Sequence, residues 1–218
     1  MPKVTALKIQ ARNKNRVNVY LDGEYAFGLI KIEAARLRVG QVLLEADIAR
    51  LKQADEAESA YEKTLNFLAY RPRSEAEIRK YLKGKKLPEE QTSGVVARLR
   101  QAGLVDDEKF AEQWVENRAT FRPKARRALK AELRAKGVGA TAIEAAVAGV
   151  DEAAAARQLA AARAPRLLRQ KLSRLDFKRK LGEYLARRGF NYEIITEAVE
   201  RAWREGGGDN SDHDESED

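Results

Sequence analysis

The sequence contains no cysteine and only one histidine, His213. Without cysteine the protein has no disulfide and no thiolate metal site, a composition that suits a reducing cytoplasm. His213 stands among the carboxylates of the last ten residues, where an imidazole is far more often solvated than catalytic. These shortages leave few side chains for enzymatic chemistry, so we predict a protein that is not an enzyme and uses no cofactor.

Long apolar runs and nucleotide-binding loops are also missing. No apolar run of 18 residues occurs and residues 1–8 do not resemble a signal peptide, so we expect a soluble, cytoplasmic protein without membrane contact. No glycine-rich loop precedes a Lys-Ser or Lys-Thr pair, which leaves nucleotide hydrolysis without support. Asp106-Asp107-Glu108 could hold a metal, but its place before an apolar helix favours helix capping.

What the sequence has instead is a set of four apolar positions that recurs at a step of 51 and then 52 residues. The positions are Ile78, Leu82, Leu87 and Val96; Leu129, Leu133, Val138 and Val147; and Leu181, Leu185, Phe190 and Val199. A fixed step of about 50 residues indicates one helical module used three times. Because aromatic residues make up only 7%, each module should have a thin core and lean on its neighbours. We expect an elongated, curved array that presents a long surface to a partner.

The pattern predicts a mainly α protein with a small β region at its start. Alternating apolar residues around Asp22-Gly23 predict a β-hairpin or β-meander in residues 1–45. We then expect a linker helix with three-helix repeat 1 in 46–105, repeat 2 in 106–150, repeat 3 in 151–205, and a disordered acidic tail in 206–218. Ser74 and Glu77 predict a capping box in repeat 1, and Pro165 predicts a helix break that extends to Arg174.

Charge is distributed unevenly along the chain. The net charge is +8, but residues 209–218 carry six acids and no base, so residues 1–208 carry +14. Residues 118–136 contain eight bases and one acid, Glu132, and residues 163–188 contain ten bases and two acids. A body this basic favours nucleic acid or an acidic protein surface as a partner.

The two basic clusters supply the candidate binding residues. Arg126, Lys130 and Arg134 step by four along one helical face, where like charges repel, and tolerance of that repulsion indicates an anionic partner. The predicted binding residues are Arg122, Lys124, Arg126, Arg127, Lys130, Arg134, Arg174, Lys178, Arg179, Lys180, Arg187 and Arg188. The plainer alternative is a solvated surface that keeps the protein soluble. Phe121 and Phe177 could stack on bases, although such aromatics more often belong to a module core.

Three stretches resemble the motifs of a known family. They are residues 65–82 (LNFLAYRPRSEAEIRKYL), 99–111 (LRQAGLVDDEKFA) and 132–138 (ELRAKGV). In order and spacing they resemble the RecX family of recombinase regulators over roughly residues 57–204, and the N-terminal strands resemble those of its longer members. Where many members have a glycine-rich turn before the middle helix of the second repeat, this chain has Arg122-Pro123-Lys124-Ala125-Arg126.

The resemblance implies three tandem three-helix repeats and a protein that binds the RecA recombinase. It implies a negative modulator that binds the RecA–DNA filament and inhibits its growth, ATPase, strand exchange and co-protease activity. We expect a monomer that contacts single- and double-stranded DNA nonspecifically. Two alternatives stay open, namely a nonspecific DNA-binding protein that competes for DNA, and a scaffold without DNA contact.

The acidic tail generates a prediction of its own. Carried on a glycine tether, its negative charge should fold back over the basic face at low salt and weaken nonspecific DNA binding. Deletion of residues 206–218 should therefore tighten DNA binding, as measured by the anisotropy of a labelled single strand. Unchanged affinity at low salt would refute the idea.

Overall fold

The computed structural model describes residues 1–206 and begins with a three-stranded antiparallel sheet. The strands are β1 (Val4–Ile9), β2 (Arg16–Leu21) and β3 (Glu24–Ile30), in the order β1-β2-β3. Asp22 and Gly23 both have positive φ, 51° and 93°, as a two-residue type I′ hairpin turn requires. The predicted β-meander is therefore confirmed, and Val19 and Leu29 are fully buried in its core. The predicted tail from Gly207 onward lies outside the described residues.

Ten helices follow the sheet in the described part of the chain. They are α1 (Lys31–Ala34), α2 (Glu45–Ala69), α3 (Glu75–Gly84), α4 (Glu89–Gln101), α5 (Asp107–Phe121), α6 (Arg126–Ala135), α7 (Ala140–Val147), α8 (Glu152–Leu168), α9 (Arg174–Ala186) and α10 (Tyr192–Glu205). The expectation of a mainly α protein with tandem three-helix repeats behind a β region is confirmed. Residues 1–106 form one compact unit and Asp107 begins a second. The elongated, curved shape stays a prediction.

Helix α2 packs against the sheet with its first half and forms part of the first repeat with its second half. Its 25 residues contain no glycine or proline, so nothing in the sequence interrupts a helix about 37 Å long. Leu51, in its first half, is buried in the core beneath the sheet, whereas Ala60, in its second half, is buried in the core of repeat 1. The linker helix and the first helix of repeat 1 are thus one continuous element.

A buried carboxylate ties the middle of α2 to the sheet. Asp55 is only 8% exposed. One of its oxygens pairs with Arg16 Nη2 at 2.6 Å, and the other accepts a hydrogen bond from the backbone N–H of Ile30 at 2.8 Å. Since a buried carboxylate is costly unless it is paired and hydrogen-bonded, these two contacts allow a charge to lie between two apolar cores.

The core of each repeat is built on two apolar side chains of its middle helix, four residues apart. These side chains are at most 2% exposed in α3 (Ile78, Leu82), α6 (Leu129, Leu133) and α9 (Leu181, Leu185). Positions four apart stack on one helical face, so each helix needs only one narrow stripe to anchor its repeat. The predicted stripes are therefore confirmed.

The middle helices differ at their N-termini. In α3 the cap is Ser74, which forms the predicted capping box with Glu77. In α6 the same place is held by Ala125, which has no side-chain cap. Helix α9 starts one turn earlier, at the Ser173 cap, so that Phe177 takes this place and is fully buried.

The predicted helix break at Pro165 is wrong in its position. Helix α8 continues through Pro165 to Leu168, and the break covers residues 169–173. Proline removes one backbone hydrogen bond from a helix. Here its neighbours Ala164 and Leu167 are 5% and 3% exposed in the core of repeat 3, and that burial holds the last turn in place.

Repeats 2 and 3 meet at the uncapped start of α6. The N–H of Ala125 donates to the carbonyl of Arg188 at 3.0 Å. The N–H of Arg126 donates to Glu152 Oε1 at 2.9 Å, so a carboxylate of α8 replaces the missing cap. Gly189 lies so close that a Cβ there would come within 2.9 Å of the Cβ of Ala128, and its φ of +91° also favours glycine.

We predict that Asp55→Ala destabilises the N-terminal unit by about 2–4 kcal/mol, because it leaves Arg16 without its partner and the Ile30 N–H unsatisfied. Urea denaturation measures the change. The matched control is Arg36→Ala, which removes an ion pair whose arginine side chain is 70% exposed and should cost about 0–1 kcal/mol. Equal effects of the two substitutions would contradict the anchoring role of Asp55.

Candidate nucleic-acid interface

All twelve predicted binding residues lie in the second unit, on α6, on α9 and on the turns beside them. Their charges are not equally available to a partner. Some of these residues pair with carboxylates or with carbonyl oxygens of the protein, and others extend into solvent without an acidic partner among residues 1–206. This division separates cations that stabilise the fold from cations that can bind an external anion.

Lys124 belongs to a polar cluster around Glu132. Glu132 accepts hydrogen bonds from Trp114 Nε1 at 2.8 Å and Arg118 Nε at 2.9 Å, and it pairs with Lys124. Arg118 and Lys136 also stack over the Trp114 ring, at 4.3 Å and 5.2 Å from its centroid. Burial opposes the charge on Glu132, but the three donors together lower its pKa below the ordinary value.

Arg126 and Lys130 are also engaged within the second unit. The Nε and Nη2 atoms of Arg126 donate to the carbonyl of Val150 at 3.0 Å and 2.7 Å. Lys130 pairs with Glu144 of α7. The repulsion that the sequence predicts between like charges on this face of α6 is therefore reduced, because two of the three cations have partners on neighbouring segments of the protein.

Four of the predicted arginines have side chains that make no hydrogen bond, ion pair or ring contact in the described part of the chain. They are Arg122, Arg127, Arg134 and Arg187, and all four are exposed. Arg127 and Arg187 each lie close along the chain to the Ala125–Arg188 hydrogen bond that joins the repeats. The fold thus brings the two basic clusters of the sequence together at the junction of repeats 2 and 3.

The cations at the start of α9 lie apart from that junction. Arg179 and Arg187 are eight residues apart, which corresponds to about 12 Å of helix. Arg174 and Lys178 share Glu200 of α10, and Lys178 lowers the pKa of that carboxyl by its hydrogen bond. Much of the positive charge of this cluster is therefore neutralised by nearby acids.

The remaining α9 cations have varied partners. Arg179 pairs with Asp176 at 2.9 Å, and this contact lowers the pKa of the aspartate. Lys180 Nζ lies 3.4 Å from the amide oxygen of Gln170. Arg188 lies 4.0 Å from the centroid of the Tyr184 ring and presents no carboxylate partner within residues 1–206.

The two phenylalanines of the basic clusters have opposite environments. Phe177 is fully buried and packs on Trp203, with ring centroids 5.0 Å apart, as the core interpretation predicts. Phe121 is 72% exposed, so the core interpretation is wrong for this residue. It stands at the end of α5, where the chain leaves the helix before Pro123, and no core lies over it. An exposed ring next to Arg122 is available for stacking on a base.

Other kinds of site receive no support from the geometry. Within residues 1–206, no group of three or more histidine, cysteine, aspartate or glutamate side chains is arranged to hold a metal ion. None of the helices in that range has the length and apolar character needed to cross a membrane. Helix α5 begins at Asp107, with Asp107 and Glu108 in its first turn, as the capping interpretation expects.

Four family models match the chain in consecutive order. They describe the N-terminal domain of regulatory protein RecX (residues 2–43) and the first, second and third three-helix domains of RecX (residues 60–99, 106–147 and 151–199). The regulatory protein RecX of Bacillus pumilus is 30% identical over 207 residues, which cover 93% of this chain and 78% of that protein. The chain belongs to the RecX family.

Further RecX proteins agree with this assignment. The regulatory protein RecX of Bacillus subtilis is 31% identical over 208 residues, covering 92% of this chain and 77% of that protein. A crystal structure of regulatory protein RecX superposes with a TM-score of 0.73 at 30% identity and covers 92% of this chain and 100% of its own. RecX from Lactobacillus salivarius, at 24% identity and a TM-score of 0.60, shares the fold over 68% of this chain and 97% of its own.

Sequence reasoning missed the role of Glu132 in this RecX protein. It treats this residue as one acid among eight bases, whereas the structure makes it the acceptor for three side chains from α5 and the following turn. A lone acid inside a basic run was the available signal, because such an acid is the natural partner for the charges around it.

We predict that Glu132→Gln lowers the free energy of unfolding by about 1–3 kcal/mol near neutral pH, since it weakens three charge-assisted hydrogen bonds. Because folding lowers the pKa of Glu132 from its ordinary 4.5, its stabilisation is present above that value and is lost as the pH falls through the folded-state pKa. Urea denaturation between about pH 7 and about pH 3 should show the difference from the unmodified protein shrinking towards acid.

The control for this prediction is Glu144→Gln. It removes the Lys130 ion pair, whose carboxylate is 57% exposed, and should cost less than about 1 kcal/mol near neutral pH. A Glu132→Gln difference that stays constant across the whole pH range would show that the charge of Glu132 is not what stabilises the protein.

Proposed function

We propose that this RecX protein is a negative modulator of the RecA recombinase. It binds the RecA–DNA filament and inhibits its growth, ATPase, strand exchange and co-protease activity. The observation that carries the proposal is the match of the N-terminal domain and all three three-helix domains, in order, to a family of regulatory proteins. The tandem repeats and the exposed arginines supply a means of binding, and no reactive group is required.

The binding is a matter of shape and charge in this proposal. A repeat array lies along the filament groove, bridges neighbouring RecA protomers and hinders monomer addition or ATP turnover. Its basic surface lies near the bound strand, where guanidinium groups contact phosphates. Exposed cations without internal acids are the ones able to replace the counterions of DNA.

Among the twelve candidate residues, the charge balance favours a subset for DNA contact. Arg122, Arg127, Arg134 and Arg187 have exposed guanidinium groups without acidic partners in the described chain, and Phe121 supplies an exposed ring beside the first of them. The paired residues, such as Lys124 and Lys130, contribute to the local potential while stabilising repeat 2.

The second candidate function is nonspecific DNA binding that affects the recombinase only by competition for DNA. The same unpaired arginines favour it, because they bind a phosphate backbone without reading sequence. The two functions differ in their response to added DNA. Competition is abolished by excess single strand, whereas a modulator acts on a filament that has already formed.

We predict that a stoichiometric amount of this protein inhibits the single-strand-dependent ATPase of RecA when it is added to preformed filaments at low salt. Steady-state ATP hydrolysis measures the effect, with and without excess competitor strand. Absence of inhibition at stoichiometric ratios would end the proposal. Inhibition that depends on the concentration of free DNA and disappears when excess single strand is added would support competition instead.

The salt dependence of DNA binding identifies the DNA-binding cations. The triple variant Arg122→Ala, Arg127→Ala, Arg134→Ala should bind single strands more weakly, and its log–log salt slope should be shallower by about 2, since each phosphate contact contributes about 0.7. The matched control is Arg12→Ala, Lys14→Ala, Arg38→Ala, which removes three exposed cations of the N-terminal unit that also lack acidic partners within residues 1–206. Equal losses in the two variants would show that affinity follows net charge and not this surface.

A further inference from the structure

A groove of about 480 Å³ opens between α9 and α10 of repeat 3. Gly182 and Ala186 of α9 and Ile195 and Val199 of α10 form its apolar lining. Tyr192, 81% exposed, stands at one end. The volume lies within the range of about 300–1,000 Å³ that is typical of pockets for a bound group.

The apolar character of this place extends along α9. Leu175 is 78% exposed and precedes Gly182 by seven residues, so the two share one helical face. Leu175 and Tyr192 are the exposed large apolar residues of a segment that is otherwise rich in charge. Exposed apolar side chains next to an apolar groove are typical of an interaction site on a soluble protein.

Repeats 1 and 2 close the corresponding place with a polar bridge. The position of Gly182 is held by Arg79 in repeat 1 and by Lys130 in repeat 2, at the repeat steps of 52 and 51 residues. Arg79 pairs with Glu89 of α4 at 2.8 Å, and Lys130 pairs with Glu144 of α7. Both bridges run from the middle helix of the repeat to its third helix.

Repeat 3 has lost both ends of the bridge seen in repeat 2. Gly182 stands in place of Lys130, and Thr196 stands in place of Glu144. The fold does not require a glycine there. A Cβ at residue 182 would lie 3.6 Å from Ile195 Cγ2, an ordinary contact, and the backbone is helical. Since glycine weakens a helix interior, the open groove is retained at the expense of local stability.

The charges around the groove favour a protein as its occupant. Residues 174–188 on the α9 side carry six bases and two acids, whereas residues 192–205 of α10 carry four acids and two bases. Charges of both signs line the groove, but Lys178 pairs with Glu200 and Arg179 with Asp176, so neither cation is left unpaired to hold a phosphate. The chain's own C-terminal residues 207–218 contain no apolar side chain to fill it. An amphipathic segment with apolar anchors, acidic on one flank and basic on the other, complements this surface.

We propose that the groove between α9 and α10 binds the apolar side chains of an amphipathic protein segment displayed by the RecA filament. The assignment of the segment to RecA rests on the proposed function. The opposite charges of the two walls fix the direction in which the segment lies. The groove of repeat 3 thereby makes the protein contact, while the unpaired arginines of repeats 2 and 3 make the DNA contact.

The test restores in repeat 3 the bridge that repeat 2 contains. The double variant Gly182→Lys, Thr196→Glu should close the groove without harming the fold, because lysine is a better helix former than glycine. Its affinity for RecA filaments preformed on labelled poly(dT) should fall by at least about tenfold. Its affinity for poly(dT) alone should stay within about twofold, since the net charge is unchanged.

The matched control, Gln113→Lys, Asn117→Glu, adds the same two residues at exposed positions of α5, four apart, and should bind filaments as the unmodified protein does. Thermal unfolding verifies that both variants fold. Filament binding by the double variant equal to that of the control would overturn the groove proposal while leaving the proposed function intact. Failure of the unmodified protein to bind filaments would remove both.

Two further results would each overturn the proposal by identifying a different occupant. A parallel loss of affinity for poly(dT) alone would make the groove a nucleic-acid site. A change in sedimentation coefficient between the unmodified protein and the double variant would show that a second copy of this chain occupies it.

Discussion

Burial of two aliphatic side chains, four residues apart on the middle helix of each repeat, is the interaction on which the helical part of this protein depends. Ile78 and Leu82, with their counterparts in repeats 2 and 3, are essentially inaccessible to water, and every other helix of a repeat packs around them. A stripe this narrow leaves most of each helix surface unconstrained by the core. The charge, caps and grooves of one repeat can therefore differ from those of the next while the fold stays the same.

Electrostatic pairing decides which of the many cations can face a partner. Glu132, Glu144 and Glu200 each take up one or more bases within the second unit, so the net charge of a segment overstates what it presents to solvent. Two of the arginines left without acids, Arg127 and Arg187, lie where α6 meets the turn after α9. Their position follows from a backbone contact between Ala125 and Arg188, which joins two clusters that are far apart in sequence.

Equivalent positions of the three repeats share the same backbone geometry. A difference in residue between them therefore indicates a difference in what the side chain contacts. The cap position is Ser74 in repeat 1 and Ala125 in repeat 2, where repeat 3 packs against it. In repeat 3 the same position is the buried Phe177. The bridge position is arginine, lysine and then glycine. All three cap residues are buried, whereas the bridge position opens onto a groove in repeat 3.

The sequence by itself determined the fold class, the three repeats, the stripe residues, the β-meander with its Asp22-Gly23 turn and the capping box at Ser74. All of these depend on local periodicity and on backbone preferences of a few adjacent residues. Only the tertiary structure decided which cations are neutralised, that Phe121 is exposed while Phe177 is buried, that α8 continues past Pro165, and that a groove opens beside Gly182. Most of these features depend on which elements pack together in space, as α6 and α7 do where Lys130 meets Glu144 across 14 residues of chain, and local patterns carry little information about such packing.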